Sequence, residues 1–127
     1  MLSLSLDPLV FPIAEKATGT YTATLVGNDG VTPIPFAALL TLTLTLYVIK
    51  QDGTDSLIRN HQNVLNVNNV TVDATSGLLT WVIQTTDTTL IEAVPVERHI
   101  ALFEWTTAAI AGKHEVVLAV KNLRQVT

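Results

Sequence analysis

From Leu40 to Val48 the chain alternates without a break. Leu40, Leu42, Leu44, Leu46 and Val48 fall on one side of an extended backbone, and Thr41, Thr43 and Thr45 on the other. Period-two alternation with β-branched residues predicts a half-buried strand; a helix would spread the leucines around its whole circumference. The pattern recurs. Tyr21, Ala23 and Leu25 alternate with Thr20, Thr22 and Thr24, and Leu79, Trp81 and Ile83 with Thr80, Val82 and Gln84. Further on, Ala101, Phe103 and Trp105 share one face, with Ile100, Leu102 and Glu104 on the other. Val116, Leu118 and Val120 oppose Val117, Ala119 and Lys121. These last two strands are apolar on both faces for several residues, as expected of central strands or of strands covered by a neighbouring molecule.

Turn-forming clusters separate the runs at residues 27–30, 32–35, 51–55, 75–77 and 111–113. Shorter strands are predicted near 57–60 and 70–73, and a single helical turn or short helix over 61–67. With no long helical period, the chain reads as an antiparallel β-sandwich. Residues 1–13 stand apart from the sandwich assigned to 14–127. Leu2, Leu4 and Leu6 alternate with Ser3 and Ser5, and then Pro8 and Pro12 interrupt any ladder. This segment is expected to be either a kinked first strand or an extended arm laid on an adjacent subunit by strand addition.

Composition sharpens that expectation. Of 127 residues, 48% are hydrophobic and 14% charged, against roughly 25% charged in ordinary domains. A domain of this size has too much surface to hide such an excess, so part of the apolar area is expected to meet another subunit. The net charge of −4 argues against nucleic acid, whose binding depends on clustered cations. No apolar run approaches the roughly 18 residues of a membrane span, and the start lacks the basic region of a secretory signal. The absence of cysteine removes disulfides and thiolate metal sites.

No residue set specifies a reaction. The four serines, Ser3, Ser5, Ser56 and Ser76, include none in a nucleophile elbow. Glu97 and Glu104 lie seven apart on one predicted strand, hence on opposite faces, which rules them out as a facing carboxylate pair. His61, His99 and His114, with Glu97 or Glu115, are the candidate metal ligands, and adjacent strands could bring His99 near His114. Even so, a zinc site needs three or four convergent ligands. Trp81 and Trp105 are flanked by same-face aliphatics and read as core. No enzymatic activity, cofactor or metal is expected.

One resemblance goes further. A threonine-rich strand leads into an Asp-Gly turn at 52–53, then into "NHQNVLNVNN" at 60–69. The strand "DATSGLLTW" at 73–81 and the strand "ERHIALFEW" at 97–105 follow, and a closing strand ends at Asn122 and Leu123. This order, over roughly residues 20–123, resembles small immunoglobulin-like proteins of tailed bacteriophages; Arg59 departs from the usual Ile-Asn start of the asparagine-rich segment. The resemblance implies an immunoglobulin-like antiparallel β-sandwich of about seven strands, preceded by the extended segment. It implies a non-enzymatic structural role in the virion, as a capsid decoration or a head–tail connector at the neck. Partners would be capsid, portal or tail subunits and further copies of the chain, and not nucleic acid or membrane. Leu2, Leu4, Leu6, Val10 and Phe11 are the candidate subunit contacts. The alternative is a carbohydrate- or host-surface-binding module of a baseplate, which calls for Trp81 or Trp105 to be solvent-accessible.

Overall fold

The threonine–leucine alternation forms a strand of 11 residues inside the larger sheet of the protein. In the computed structural model, which describes residues 9–123 apart from residues 28 and 93, this segment is β3 (Leu39–Ile49). The other strands are β1 (Leu9–Ala14), β2 (Gly19–Thr24), β4 (Asp55–Asn63), β5 (Val70–Val72), β6 (Leu78–Ile83), β7 (Val96–Thr107) and β8 (Ala111–Lys121). They form a five-stranded sheet, β1-β8-β7-β3-β4, and a three-stranded sheet, β2-β6-β5. Placing β2, β5 and β6 in one sheet against β3, β7 and β8 in the other is the strand distribution of an immunoglobulin-like sandwich.

The inner faces are the ones the alternation selects. Leu42, Leu44 and Leu46, Leu79, Trp81 and Ile83, and Phe103, Val116 and Leu118 are buried between the sheets. Each large side chain so buried contributes about 1.5–3 kcal/mol before entropy is subtracted. Their arrangement differs from a simple facing of Leu42, Leu44 and Leu46 against Trp81, Phe103 and Trp105. Leu42 pairs laterally with Trp105, and Leu44 with Phe103, because β3 and β7 are neighbours in one sheet. Trp81 alone of that trio comes from the opposite sheet, meeting Phe103 edge to face at 5.6 Å.

Leu40 is also displaced from its expected place. A register shift between Leu39 and Thr41 puts Leu39 in the core and leaves Leu40 63% exposed. One extra residue in a strand reverses which side chains face inward.

Two further expectations are corrected. Residues 61–67 form no helix. β4 continues to Asn63 with register shifts opposite Leu44–Tyr47, and positive φ at His61, Asn66, Asn68 and Asn69 turns the chain instead. Asparagine tolerates that region better than most residues. Asn66 Oδ1 accepts from the Val72 N–H at 2.7 Å, and Asn68 Nδ2 donates to the Asn63 carbonyl at 2.7 Å. The asparagines thus serve as local backbone ties.

The sandwich is also not wholly antiparallel. β1 is an eighth strand and runs parallel to β8, from Leu9 beside Val116 to Ala14 beside Lys121. The division drawn at residue 13 therefore falls inside a strand of the sheet. Leu2, Leu4 and Leu6 lie outside the described residues.

The turn before β6 shows how tightly the sheets are joined. Asp73 accepts from the Thr75 and Ser76 N–H groups, each at 2.9 Å, and these bonds hold its carboxyl at about 2. Gly77 follows with φ +72°, where a Cβ would stand 2.7 Å from the Ile34 carbonyl oxygen. No other residue satisfies both the dihedral and the close approach.

Candidate interaction surface

The outward face of the five-stranded sheet takes part of the excess of apolar residues, while others, such as Leu78 and Val82 on β6, are exposed on the other sheet. Residues paired across adjacent strands point to the same face, so the register defines rows. Val10 pairs with Val117, Val117 with Ile100, Ile100 with Tyr47, and Tyr47 with Leu57. This single apolar row crosses all five strands. Val10 and Leu57, at its ends, are each 53% exposed, while Val117 at 3% is closed in by its neighbours. Burial first, and then the negative charges of Glu115 and Asp55, push the Tyr47 hydroxyl above its ordinary pKa. No strand or helix among the described residues lies over this face.

The flanking rows extend the patch and then end it. On one side stand Pro12, Ala119 and Arg98 in register, with Ile49, 55% exposed, further along β3. On the other stand Glu115, Leu102 and Thr45. Beyond them the face turns polar. Thr41 and Thr106 share a hydroxyl–hydroxyl bond of 2.6 Å. Glu104 lies 3.7 Å from Lys113 Nζ and 3.9 Å from His61 Nε2. These groups, with Thr43, line a shallow depression of about 330 Å³. His61 is set there by the irregularity in β4: its φ is 46°, and its Nδ1 is 2.9 Å from Asn60 Oδ1.

The inner face at the opposite end of β7 holds a very different set. Glu97 and His99 share one face, as their spacing predicts, with Nε2 2.6 Å from Glu97 Oε1. His99 Nδ1 donates to the Asp87 carbonyl at 2.7 Å. The Glu97 oxygens also accept from the Ile91 and Glu92 N–H groups at 2.8 and 2.7 Å. Arg59 reaches in from β4, donating from Nε and Nη2 to both Asp87 oxygens at 2.8 and 2.7 Å. Its guanidinium lies over Trp81, 5.8 Å from the ring centroid. His99 is wholly buried, Glu97 is 4% and Asp87 1% exposed, while Arg59 and Asp87 border a depression of about 220 Å³. Their chemistry is spent on each other, and they tie the loop 84–92 to both sheets.

His114 sits apart from that cluster. It pairs with Phe103, whereas His99 pairs with Leu118, so four residues of strand, about 13 Å, separate the two histidines. His114 turns inward and stacks on Tyr21 of the opposite sheet, Tyr21 Oη being 2.5 Å from Nε2. Burial lowers the His114 pKa and raises that of Tyr21. Among the described residues no three His, Asp or Glu side chains converge as a metal site would require.

Of the candidate contacts, Val10 stands on the outward face. Phe11, one residue on, faces the core and meets Tyr21 edge to face at 6.0 Å. Sequence reasoning singled out neither Tyr47 nor Leu57, and it read Ile100 and Val117 only as members of doubly apolar strands. That double apolarity was the available signal, and register was needed to join it into a row. Trp81 and Trp105 are buried, 0% and 5% exposed, so neither offers a stacking platform.

No protein-family model matches the sequence, and no curated protein matches it either. Among solved structures, the chain is similar to a chimeric titin Z1Z2 functionalized with a KLER exogenous peptide from decorin. The two share 14% identity with a TM-score of 0.42, over 91% of this chain and 46% of that one. The chain thus spans less than half the length of that protein. Among the described residues no helix is long and apolar enough to cross a membrane.

Proposed function

We propose that the protein is a non-enzymatic structural subunit of a tailed-phage virion, acting through subunit contacts as a capsid decoration or a head–tail connector. The observation that carries this reading is the apolar row from Val10 to Leu57 on the outward face. Contiguous apolar surface of that kind marks an interaction site. The virion assignment rests on the sequence resemblance over residues 20–123. The groups that could do chemistry favour the same reading from the other side: Glu97, His99 and Asp87 are buried, and with the partly buried Arg59 they are mutually bonded. Partners would be capsid, portal or tail subunits. The alternative, a carbohydrate- or host-surface-binding module, loses the exposed tryptophan it called for.

The test is incorporation. Particles assembled with labelled protein should carry it at a fixed location on the head or neck when imaged. A Leu57→Lys variant that folds normally should be missing from those particles. Purified particles containing no copy of the chain would overturn the proposal.

A further inference from the structure

The rows on the outward face carry charges at positions that select one partner. Arg98 lies in the row on one side of the apolar row, and Glu115 in the row on the other side. Both are exposed, and neither makes an ion pair within the chain among the described residues. They stand on adjacent strands, but four residues along the strand separate their rows, about 13 Å. Neither can satisfy the other in one molecule. In two facing molecules they can.

We infer that the outward face of the five-stranded sheet packs against the same face of a second copy of this chain, related by a twofold axis running along the apolar row. This deepens the proposed function by naming a partner of the same surface. Two sheets facing each other with twofold symmetry require an axis lying in the plane between them. Two directions are natural, along the strands or across them. An axis along β7 would set Arg98 directly over Arg98 of the copy, a like-charge contact. An axis across the strands, along the row itself, leaves Ile100 on Ile100 and Tyr47 on Tyr47. It also exchanges the flanking rows, so that Arg98 comes over Leu102 of the copy, one strand from the copy's Glu115. Lateral strand spacing is about 4.8 Å and facing sheets stand about 10 Å apart, within reach of an arginine side chain. Two such pairs form, one at each side of the axis.

Size sets the expected strength. Five strands about 4.8 Å apart and three rows about 7 Å apart outline roughly 20 by 20 Å. Beyond these rows the twist of stacked sheets carries the faces apart. This is about half of the roughly 800 Å² that each partner buries in a standard interface. The contact is therefore weak for one isolated pair, and it gains strength where copies are held close together by a lattice.

The experiment is sedimentation equilibrium on the purified full chain, over a concentration series to about 1 mM, the weak end of measurable association. The expected result is a reversible dimer. Leu57→Lys weakens it at least about tenfold, as does either Arg98→Glu or Glu115→Arg alone, and the double variant Arg98→Glu/Glu115→Arg recovers it. All three positions of substitution are exposed on the folded chain, and far-UV spectra verify that each variant folds. A chain that stays monomeric throughout overturns the inference, as does a dimer indifferent to Leu57→Lys. A dimer weakened by both single charge reversals and not rescued by the double overturns the crossed-row arrangement. Particle incorporation separates this from the broader reading. A monomer that still enters virions defeats the pairing alone, whereas a well-behaved dimer that never enters them defeats the virion assignment alone.

Discussion

The five-stranded sheet places charge inside and grease outside. On its inner face Glu97 and His99 are buried and the partly buried Arg59 binds the buried Asp87 of the loop after β6, and on its outer face Val10, Ile100, Tyr47 and Leu57 are left at least partly open. The difference lies in satisfaction. Every oxygen of Asp87 and Glu97 accepts a hydrogen bond, and both His99 nitrogens are engaged. A buried polar group so supplied costs little, and an exposed aliphatic gains nothing from water. The inner cluster is therefore complete within one chain, and the outer row is complete only against another surface. Substitutions in the two regions should fail in different ways, the first in folding and the second in association.

The largest effect is expected from Asp87→Ala. It strands the Arg59 guanidinium under Trp81 and removes the acceptor of the Gln84 N–H. An unpaired buried charge of this kind costs about 3–5 kcal/mol, readable as a fall in the urea midpoint. Converting both partners, Arg59→Leu with Asp87→Leu, should recover much of that loss. A double variant as unstable as the single would mean that the backbone bonds of Asp87, rather than the ion pair, hold the loop.

Gly112→Ala comes next and probes the core beside the outer row. Gly112 pairs with Trp105, and a Cβ there would stand 2.5 Å from the indole. Overpacking of a rigid ring costs about 1–3 kcal/mol. Tryptophan fluorescence should shift toward the red as Trp105 is pushed outward. An unshifted spectrum with undiminished stability would show that the hairpin between β7 and β8 relaxes freely.

A smaller, pH-dependent effect belongs to the inter-sheet pair. The folded pKa of His114 is below its ordinary 6.5 because the ring is partly buried. Below the unfolded value the unfolded chain takes up the proton more readily, so the His114 contribution is fully present above that pH. It is lost as pH falls through and below it. The difference in stability between the wild type and His114→Gln should therefore shrink or reverse on acidification from pH 7 to pH 5. A difference that stays constant over that range would mean that Tyr21 keeps its partner whether or not the ring is charged.

How much of this was legible in the sequence follows from the range of the interactions. The inner faces of β2, β3, β6, β7 and β8 were readable because strand periodicity is local. The Glu97–His99 contact was readable because it needs only parity along one strand. The Arg59–Asp87 pair, 28 residues apart in sequence, was not. It depends on how the loop after β6 meets β4, and no pattern in either segment encodes that. The helix expected over 61–67 failed for a related reason. Asn63 and Asn66 accept backbone N–H bonds as turn residues, competing locally with a helix. The outer row falls between these cases: its members were visible as apolar positions, but their alignment across five strands is a matter of register.

The smallest effect on folding, and the most informative contrast, is expected from Leu57→Lys. Leu57 is 53% exposed and pairs with Tyr47 at the edge of the sheet, so a lysine stem can lie along the ring with its charge in water. Exposed substitutions away from special features stay within about 0.5 kcal/mol, and the urea midpoint should hardly move. Asp87→Ala and Leu57→Lys then form a pair: one loses stability, and the other keeps it while losing its partner surface. If Leu57→Lys instead unfolded the chain, the outer row would be supporting the monomer, and the division between a self-sufficient inner face and a partner-seeking outer face would fail.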